Sequence, residues 1–338
     1  SMPSLPTKPL RLLPGLPGLP RLLVAVALTF SASAAIADYP DRPVRLVVPF
    51  PPGGNTDVAA RLVAQGLGDR LGQNVVIDYK AGAATIIGAD AVSKARPDGY
   101  TLLFGTATTY VFNPVVYRSL PYNPRTSFDP IGIIGGNGMV LLANKDVPAA
   151  NLSELLALAR SKPGQLSYAS HGTGTPVHFV AEMLWKAANV DVLHVPYKGG
   201  APALADVMGG QVQMVFDGTA AASAALKGDR VKALAVTGAR REALLPNVPT
   251  IAESGFPGFE LSSWYAVVAP RGLPRDVHER LQKALKATVE DPAVRDKLTA
   301  QGFDVRFSGP EAYAKAVDEG IAKLTPLAEA ASIRQEGP

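Results

Sequence analysis

The chain contains no cysteine among its 338 residues. That excludes a disulfide framework, a thiolate metal site, a Cys nucleophile and a lipid-anchored N-terminal cysteine. Histidine is scarce, with four residues. Only Asp191 and His194 stand at even a weak ligand spacing, so neither a metal nor another cofactor is expected. No Lys/Arg-rich run occurs, which removes the usual footprint of a nucleic-acid or membrane-surface binder. A Gly-x-Ser-x-Gly elbow, an HExxH helix and a P-loop Lys-Ser/Thr pair are also missing. Gly172-Thr-Gly-Thr-Pro-Val has two of the three glycines of a dinucleotide fingerprint. Val177 fills the third place beside Pro176, so the match is partial and weak.

What is present begins with an export pattern. Lys8, Arg11 and Arg21 are the only charges in the first 37 residues. Leu22 to Phe30 is a short apolar run, and Ala35-Ile36-Ala37 is an A-x-A site, so residues 1–37 read as a signal peptide cleaved after Ala37. Ser1 before Met2 reads as a cloning scar. The apolar run is too short for a stable membrane span. Loss of those three charges takes the net charge from +4 to about +1, which leaves little reason to expect a polyanionic partner. The mature chain is expected to be soluble, monomeric and periplasmic.

From Asp38 strands alternate with helical patterns. Strands are expected at Val44–Phe50, Val75–Tyr79, Tyr100–Gly105, Ile131–Gly135, Met139–Asn144, Leu166–Ser170, Val192–Pro196, Val212–Phe216, Val231–Thr237 and Trp264–Ala269, with an edge strand at Asp304–Phe307. Helices fit between most of them; Asn151 and Glu154 stand at capping-box spacing before Leu152–Ser161. The alternation predicts an α/β fold. Two mostly parallel sheets flanked by helices accommodate this many strands better than one. Residues 135–138 and 257–263 suit the chain's crossings between lobes. Domain 1 is then 38–137 plus 263–338, domain 2 is 138–262, and a cleft between them closes about a hinge.

Ligands of open α/β sheets sit beyond the carboxyl ends of strands. The first such loop, Pro51-Pro-Gly-Gly-Asn-Thr-Asp57, leads into a helix marked by Val58, Leu62, Val63, Leu67 and Leu71. Free amides and the helix dipole there favour an anion. Ala81-Gly-Ala-Ala-Thr85 and Thr106-Ala-Thr-Thr109 follow the next strands. The second lobe offers Ser170-His-Gly-Thr-Gly-Thr175, Tyr197-Lys-Gly-Gly200 and Asp217-Gly-Thr219. Small residues and hydroxyls suit a carboxylate held by neutral donors. Each has another use: Asp57, Ser170 and Thr173 as helix caps, Asp217 as a turn former, His178 as a structural residue on a first turn, and Trp264 as core.

Several stretches together resemble the substrate-binding proteins of tripartite tricarboxylate transporters, the Bug receptors. They are Tyr39-Pro-Asp-Arg-Pro-Val-Arg-Leu-Val-Val-Pro-Phe-Pro-Pro-Gly-Gly54, Pro97-Asp-Gly-Tyr-Thr-Leu-Leu103, Gly172-Thr-Gly-Thr-Pro-Val-His178, Val195-Pro-Tyr-Lys-Gly-Gly200, Val215-Phe-Asp217 and Leu245-Pro-Asn-Val-Pro-Thr250. The resemblance implies a two-lobed periplasmic binding protein that closes on a small organic anion without chemistry. The anion would be a mono-, di- or tricarboxylate, aromatic ones included, delivered to a permease of large and small membrane subunits.

The ligand contacts expected are Pro52, Gly53, Gly54, Asn55, Thr56 and Asp57 of the first loop and Ala83, Ala84 and Thr85 of the second, which the resemblance implies, with Thr106 added from the strand-end reading. In domain 2 they are Ser170, Gly172, Thr173, Gly174, Thr175, His178, Tyr197, Lys198, Gly199 and Asp217. The second loop departs from the family's Asn-Arg-Pro-Gly-Ala-Gly-Gly, reading Tyr79-Lys-Ala-Gly-Ala-Ala-Thr85. Thr85 is expected to offer its hydroxyl to the ligand, and φ > 0 at Ala84 or Thr85 to cost stability. Two rivals share the same cleft. An α/β enzyme needs a nucleophile–base pair among Ser170, His171, His178 and Asp217. A sensory receptor needs a signalling partner in place of the permease.

Overall fold

The computed structural model describes residues 38–338; the expected signal peptide, 1–37, lies outside them. The chain opens with β1 (Val44–Val48), α1 (Asn55–Leu71), β2 (Val75–Tyr79), α2 (Ile86–Ser93) and β3 (Thr101–Thr106). A π-helical turn (Thr108–Phe112), α3 (Asn113–Val116) and β4 (Phe128–Asn137) complete the first pass. After Gly138 the chain builds β5 (Met139–Asn144), α4 (Leu152–Ser161), β6 (Ser167–Ser170), α5 (Pro176–Ala188) and β7 (Leu193–Pro196). Then come α6 (Gly200–Met208), β8 (Met214–Gly218), α7 (Thr219–Leu226) and β9 (Val231–Val236). It returns as β10 (Ser263–Pro270), α8 (Arg275–Glu290), α9 (Pro292–Ala300), β11 (Asp304–Ser308) and α10 (Pro310–Ala330).

Two sheets result, a six-stranded one ordered β11-β4-β10-β3-β1-β2 and a five-stranded one ordered β7-β6-β8-β5-β9. This is the expected two-lobed α/β architecture, with one amendment: the sheets are mixed, not mostly parallel. β1 runs parallel to β2 and β3, and β6 to β7 and β8. Those strands are linked by helical crossovers, which parallel neighbours need. β4, β10 and β11 run antiparallel to their neighbours, as do β5 and β9. β4, β5, β9 and β10 flank the points where the chain passes between the sheets, β11 adds an edge strand, and no single crossover helix links any antiparallel pair.

The period of two along strands sets the layers. In β5, Leu141 and Ala143 enter the core under α4 and α5, while Val140 and Leu142 face the core under α6. Helix ends follow sequence signals. Asn151 Oδ1 accepts from Glu154 N–H (2.9 Å), and the Glu154 carboxylate accepts from Ala150 N–H (2.7 Å), one residue earlier than a strict capping box. Gly72, at φ 74°, ends α1.

A third link joins the lobes besides the two passages. The first half of α10 packs on the first sheet through Tyr313 and Val317. Its second half, with Leu324, Leu327 and Ala328, joins the cluster that holds Phe179 and Leu184 of α5. Val111, Phe112 and Val116 enter the same cluster, with the Phe112 and Phe179 rings 5.3 Å apart.

Candidate functional site

Two loops of the first lobe and one of the second meet around a cavity of about 310 Å³. Pro49, Phe50 and Pro51 line it from the end of β1, and Ala81, Gly82, Ala84 and Thr85 from the loop after β2. Thr108, Asn113, Val116 and Tyr117 form the floor, and Thr173, Gly174, Thr175 and Pro176 close it from the second lobe.

The loop after β2 has unusual backbone. Ala83, Ala84 and Thr85 follow one another at φ 47°, 51° and 76°, after Gly82 at 125°. Ile86 N–H donates to Ala83 O (3.0 Å), closing a left-handed turn. Left-handed non-glycine residues cost about 1–3 kcal/mol each and persist only where the surroundings hold them. Here the π-helical turn and α3 do so. Asn113 Nδ2 donates to Ala84 O (2.7 Å) and to Thr85 Oγ1 (3.3 Å), and the Thr85 and Thr109 hydroxyls bond at 2.9 Å.

The expectation that Thr85 turns its hydroxyl to a ligand therefore fails: the residue is buried and its oxygen anchors the loop from behind. The N–H groups of Ala83, Ala84 and Thr85 make no hydrogen bond among the described residues. Successive left-handed residues turn their N–H groups to one side, as the first turn of a helix does.

The first loop lies beside the cavity. Pro51 is in its wall, whereas Pro52, Gly53 and Gly54 are exposed and Asn55 and Thr56 half-buried next to it. Asn55 Nδ2 donates to Gln301 O (3.3 Å). Asp57 neither caps α1 nor faces the cavity, because Gly54 is the cap. The Asp57 carboxylate is buried and accepts from Gly53 N–H (2.9 Å), Tyr79 OH (2.5 Å) and Arg61 Nε (3.1 Å). Burial pushes its pKa up, but the bonds from Tyr79, Gly53 and Arg61 outweigh it and leave the pKa below the usual carboxylate value. Thr106 is likewise buried outside the wall, its N–H donating to Thr109 Oγ1 (3.3 Å).

In the second lobe most loop donors are spent internally. Gly172 N–H donates to Ser170 Oγ (3.1 Å), Gly174 N–H to His178 Nδ1 (3.1 Å), and the Thr175 N–H and hydroxyl both to Gly172 O (3.3 and 2.7 Å). Thr173 keeps its N–H and hydroxyl. Gly174 has φ 84°, and a Cβ there would meet both Val116 methyls at 3.2 Å, so the loop reaches the floor only as glycine.

His178 is buried beneath this loop and stacked on His194, ring centroids 3.9 Å apart, which removes it as a direct contact. Burial, with His194 beside it, pushes the His178 pKa down to about 4, and burial lowers that of His194. Neutral His178 is what the Gly174 bond needs, since Nδ1 accepts there. Tyr197, Lys198 and Gly199 lie outside the wall, and Tyr197 OH donates to Asp206 Oδ2 (2.5 Å). Asp217 lines a different, open groove of about 540 Å³ between α6 and α7. Its Oδ1 accepts from Gly218 N–H (2.8 Å) and lies 3.6 Å from His171 Nε2.

The enzyme reading needs an accessible nucleophile. Ser170 Oγ lies 2.6 Å from His194 Nε2, but Ser170 is fully buried and its oxygen already accepts from Gly172. No group of three His, Asp or Glu stands where it could hold a metal ion among the described residues. Trp264 is half-buried against the core, stacked on Tyr110 with centroids 5.7 Å apart. Of the floor residues, Thr108 falls in the anticipated Thr106–Thr109 loop, whereas Asn113, Val116 and Tyr117 were not foreseen. Nothing in the sequence marks the π-helical turn that follows β3.

Comparisons with known proteins give one answer. The family model of the tripartite tricarboxylate transporter family receptor matches residues 59–333. A UPF0065 protein of the tcbD-tcbE intergenic region of Pseudomonas sp. strain P51 is 39% identical over 299 residues, covering 87% of this chain and 89% of the relative. The structure of periplasmic binding protein BugD is 37% identical, with TM-score 0.73, covering 88% of this chain and all of BugD. Rpa4515 of R. palustris, solved with adipate, is 36% identical with TM-score 0.77, covering 88% of this chain and 99% of that one.

Proposed function

This chain belongs to the tripartite tricarboxylate transporter receptor family, and on that premise we propose that its interlobe cavity captures a small organic carboxylate for delivery to a tripartite membrane transporter. Its structural neighbours are solute-binding receptors, not enzymes. One observation carries the assignment to this cavity: unbonded amides of a left-handed turn in one lobe border it opposite the Thr173–Pro176 segment of the other. Backbone amides held in place offer an anion partial positive charge without reorganisation. A ligand touching both lobes favours the closed arrangement, since only that arrangement makes both sets of contacts.

In this reading residues 38–137 and 263–338 form one lobe and 138–262 the other, consistent with the membership of the two sheets. The contacts proposed are the Ala83–Thr85 amides, Pro51 and its exposed neighbours to Thr56, and Thr173 to Thr175. Ser170, Gly172 and His178 shape the second-lobe loop from beneath, and Tyr197 to Gly199 and Asp217 border its outer side. The protein acts as an exported periplasmic monomer, and its partners are the large and small permease subunits. Among the described residues no helix is long and apolar enough to cross a membrane.

Calorimetry with a panel of carboxylates, on wild type and Gly174→Val, tests the site. At least one acid should bind the wild type, and the variant should lose it by a hundredfold or more. Undiminished binding by the variant would remove the cavity from the account.

A further inference from the structure

We infer that this cavity selects a small monocarboxylate with an apolar body and discriminates against diacids of the same skeleton. The inference rests on the carboxylate reading above and narrows it. It starts from where hydrogen-bond donors remain. At the first-lobe end, the Ala83, Ala84 and Thr85 N–H groups are all unbonded among the described residues. At the second-lobe end, the amides of Gly172, Gly174 and Thr175 already donate to Ser170, His178 and Gly172. The Thr175 hydroxyl is committed to Gly172 O, leaving Thr173 as that segment's donor. One end of the cavity is therefore rich in donors and the other poor.

The wall supports the same asymmetry. No lining residue carries a charged side chain among those described, and Phe50, Pro51, Val116 and Pro176 present apolar surface. Ala84 adds a methyl where the family pattern has glycine. An ionised carboxylate has about four acceptor positions to satisfy. Moving one out of water beside apolar walls is strongly unfavourable unless hydrogen bonds or a cation replace its hydration. The left-handed turn supplies that replacement once. The three hydroxyls left around the rest of the wall, on Thr108, Tyr117 and Thr173, suit a neutral substituent better than a second anion.

The test uses the purified full chain at pH 7.5, where all carboxyls are ionised, with hexanoate against adipate and benzoate against terephthalate by calorimetry. In at least one pair the monoacid should bind tenfold or more tighter than its diacid. Thr173→Lys, which sets a cation at the donor-poor end, should shift the ratio at least tenfold toward the diacid. Diacids binding as tightly as their monoacids, or tighter, in both pairs would overturn the selectivity and leave the receptor reading intact. A Thr173→Lys ratio unchanged from wild type would overturn the assignment of that end. If none of the four acids binds while another carboxylate does, the apolar-body claim falls alone; if no carboxylate binds at all, the receptor reading falls with it.

Discussion

At the residue scale the loop after β2 carries the strain. Ala84, at φ 51°, occupies a conformation that glycine adopts freely. Ala84→Gly should stabilise the protein by about 1 kcal/mol, read as a higher urea midpoint at unchanged m-value. Thr85 is the counterweight. Thr85→Val removes the oxygen bonded by Thr109 and Asn113, and a buried partner left unsatisfied costs about 1–3 kcal/mol. The sequence made this position legible only in part. Positive φ was anticipated as a possible cost, but the inward turn of Thr85 depends on Thr109 and Asn113, more than twenty residues away.

At the scale of elements, α5 and β7 hold the second-lobe loop through His178 and His194. Both rings have pKa values below that of an unfolded-chain histidine, the His178 value about 4. The unfolded state therefore takes up protons first as the solution acidifies. Stability from these rings is fully present above about pH 6.5 and is lost as pH falls toward 4, by about 3 kcal/mol at most from His178. Urea midpoints at pH 7, 5.5 and 4.5 should fall progressively; a flat profile would contradict the buried neutral pair.

His178 should also matter to ligand. His178→Asn keeps an acceptor for Gly174 N–H and should bind near wild-type strength, whereas His178→Phe removes it and should weaken binding about tenfold by calorimetry. The expected strands were all found with ends shifted by a few residues at most, because alternation and turn residues are local signals. A structural place for His178 on a helix first turn was legible, but its partner was not, since stacking on His194 is set by how β7 lies beside β6.

At the scale of the whole molecule, the lobes share one apolar cluster behind the cavity. Leu324 is buried there although it belongs to the helix that starts on the first sheet. Leu324→Ala should cost about 2–5 kcal/mol, and calorimetric melting should remain one transition with calorimetric and van't Hoff enthalpies equal. Two resolved transitions would show that the lobes unfold independently.

The sequence by itself determined the alternating elements, the two-lobed class and the family, because those rest on local periodicity and on short motifs in order. It also pointed to the loops that meet at the cavity, since strand ends and small residues are visible one segment at a time. Only the tertiary structure decided which donors remain free. Whether an amide or hydroxyl is spent depends on side chains that only the fold orients: Asn113 reaches Ala84 O from the far side of β3, while His178 and Asp57, near in sequence to the Gly174 and Gly53 amides they accept from, are held in place by the distant His194 and Tyr79.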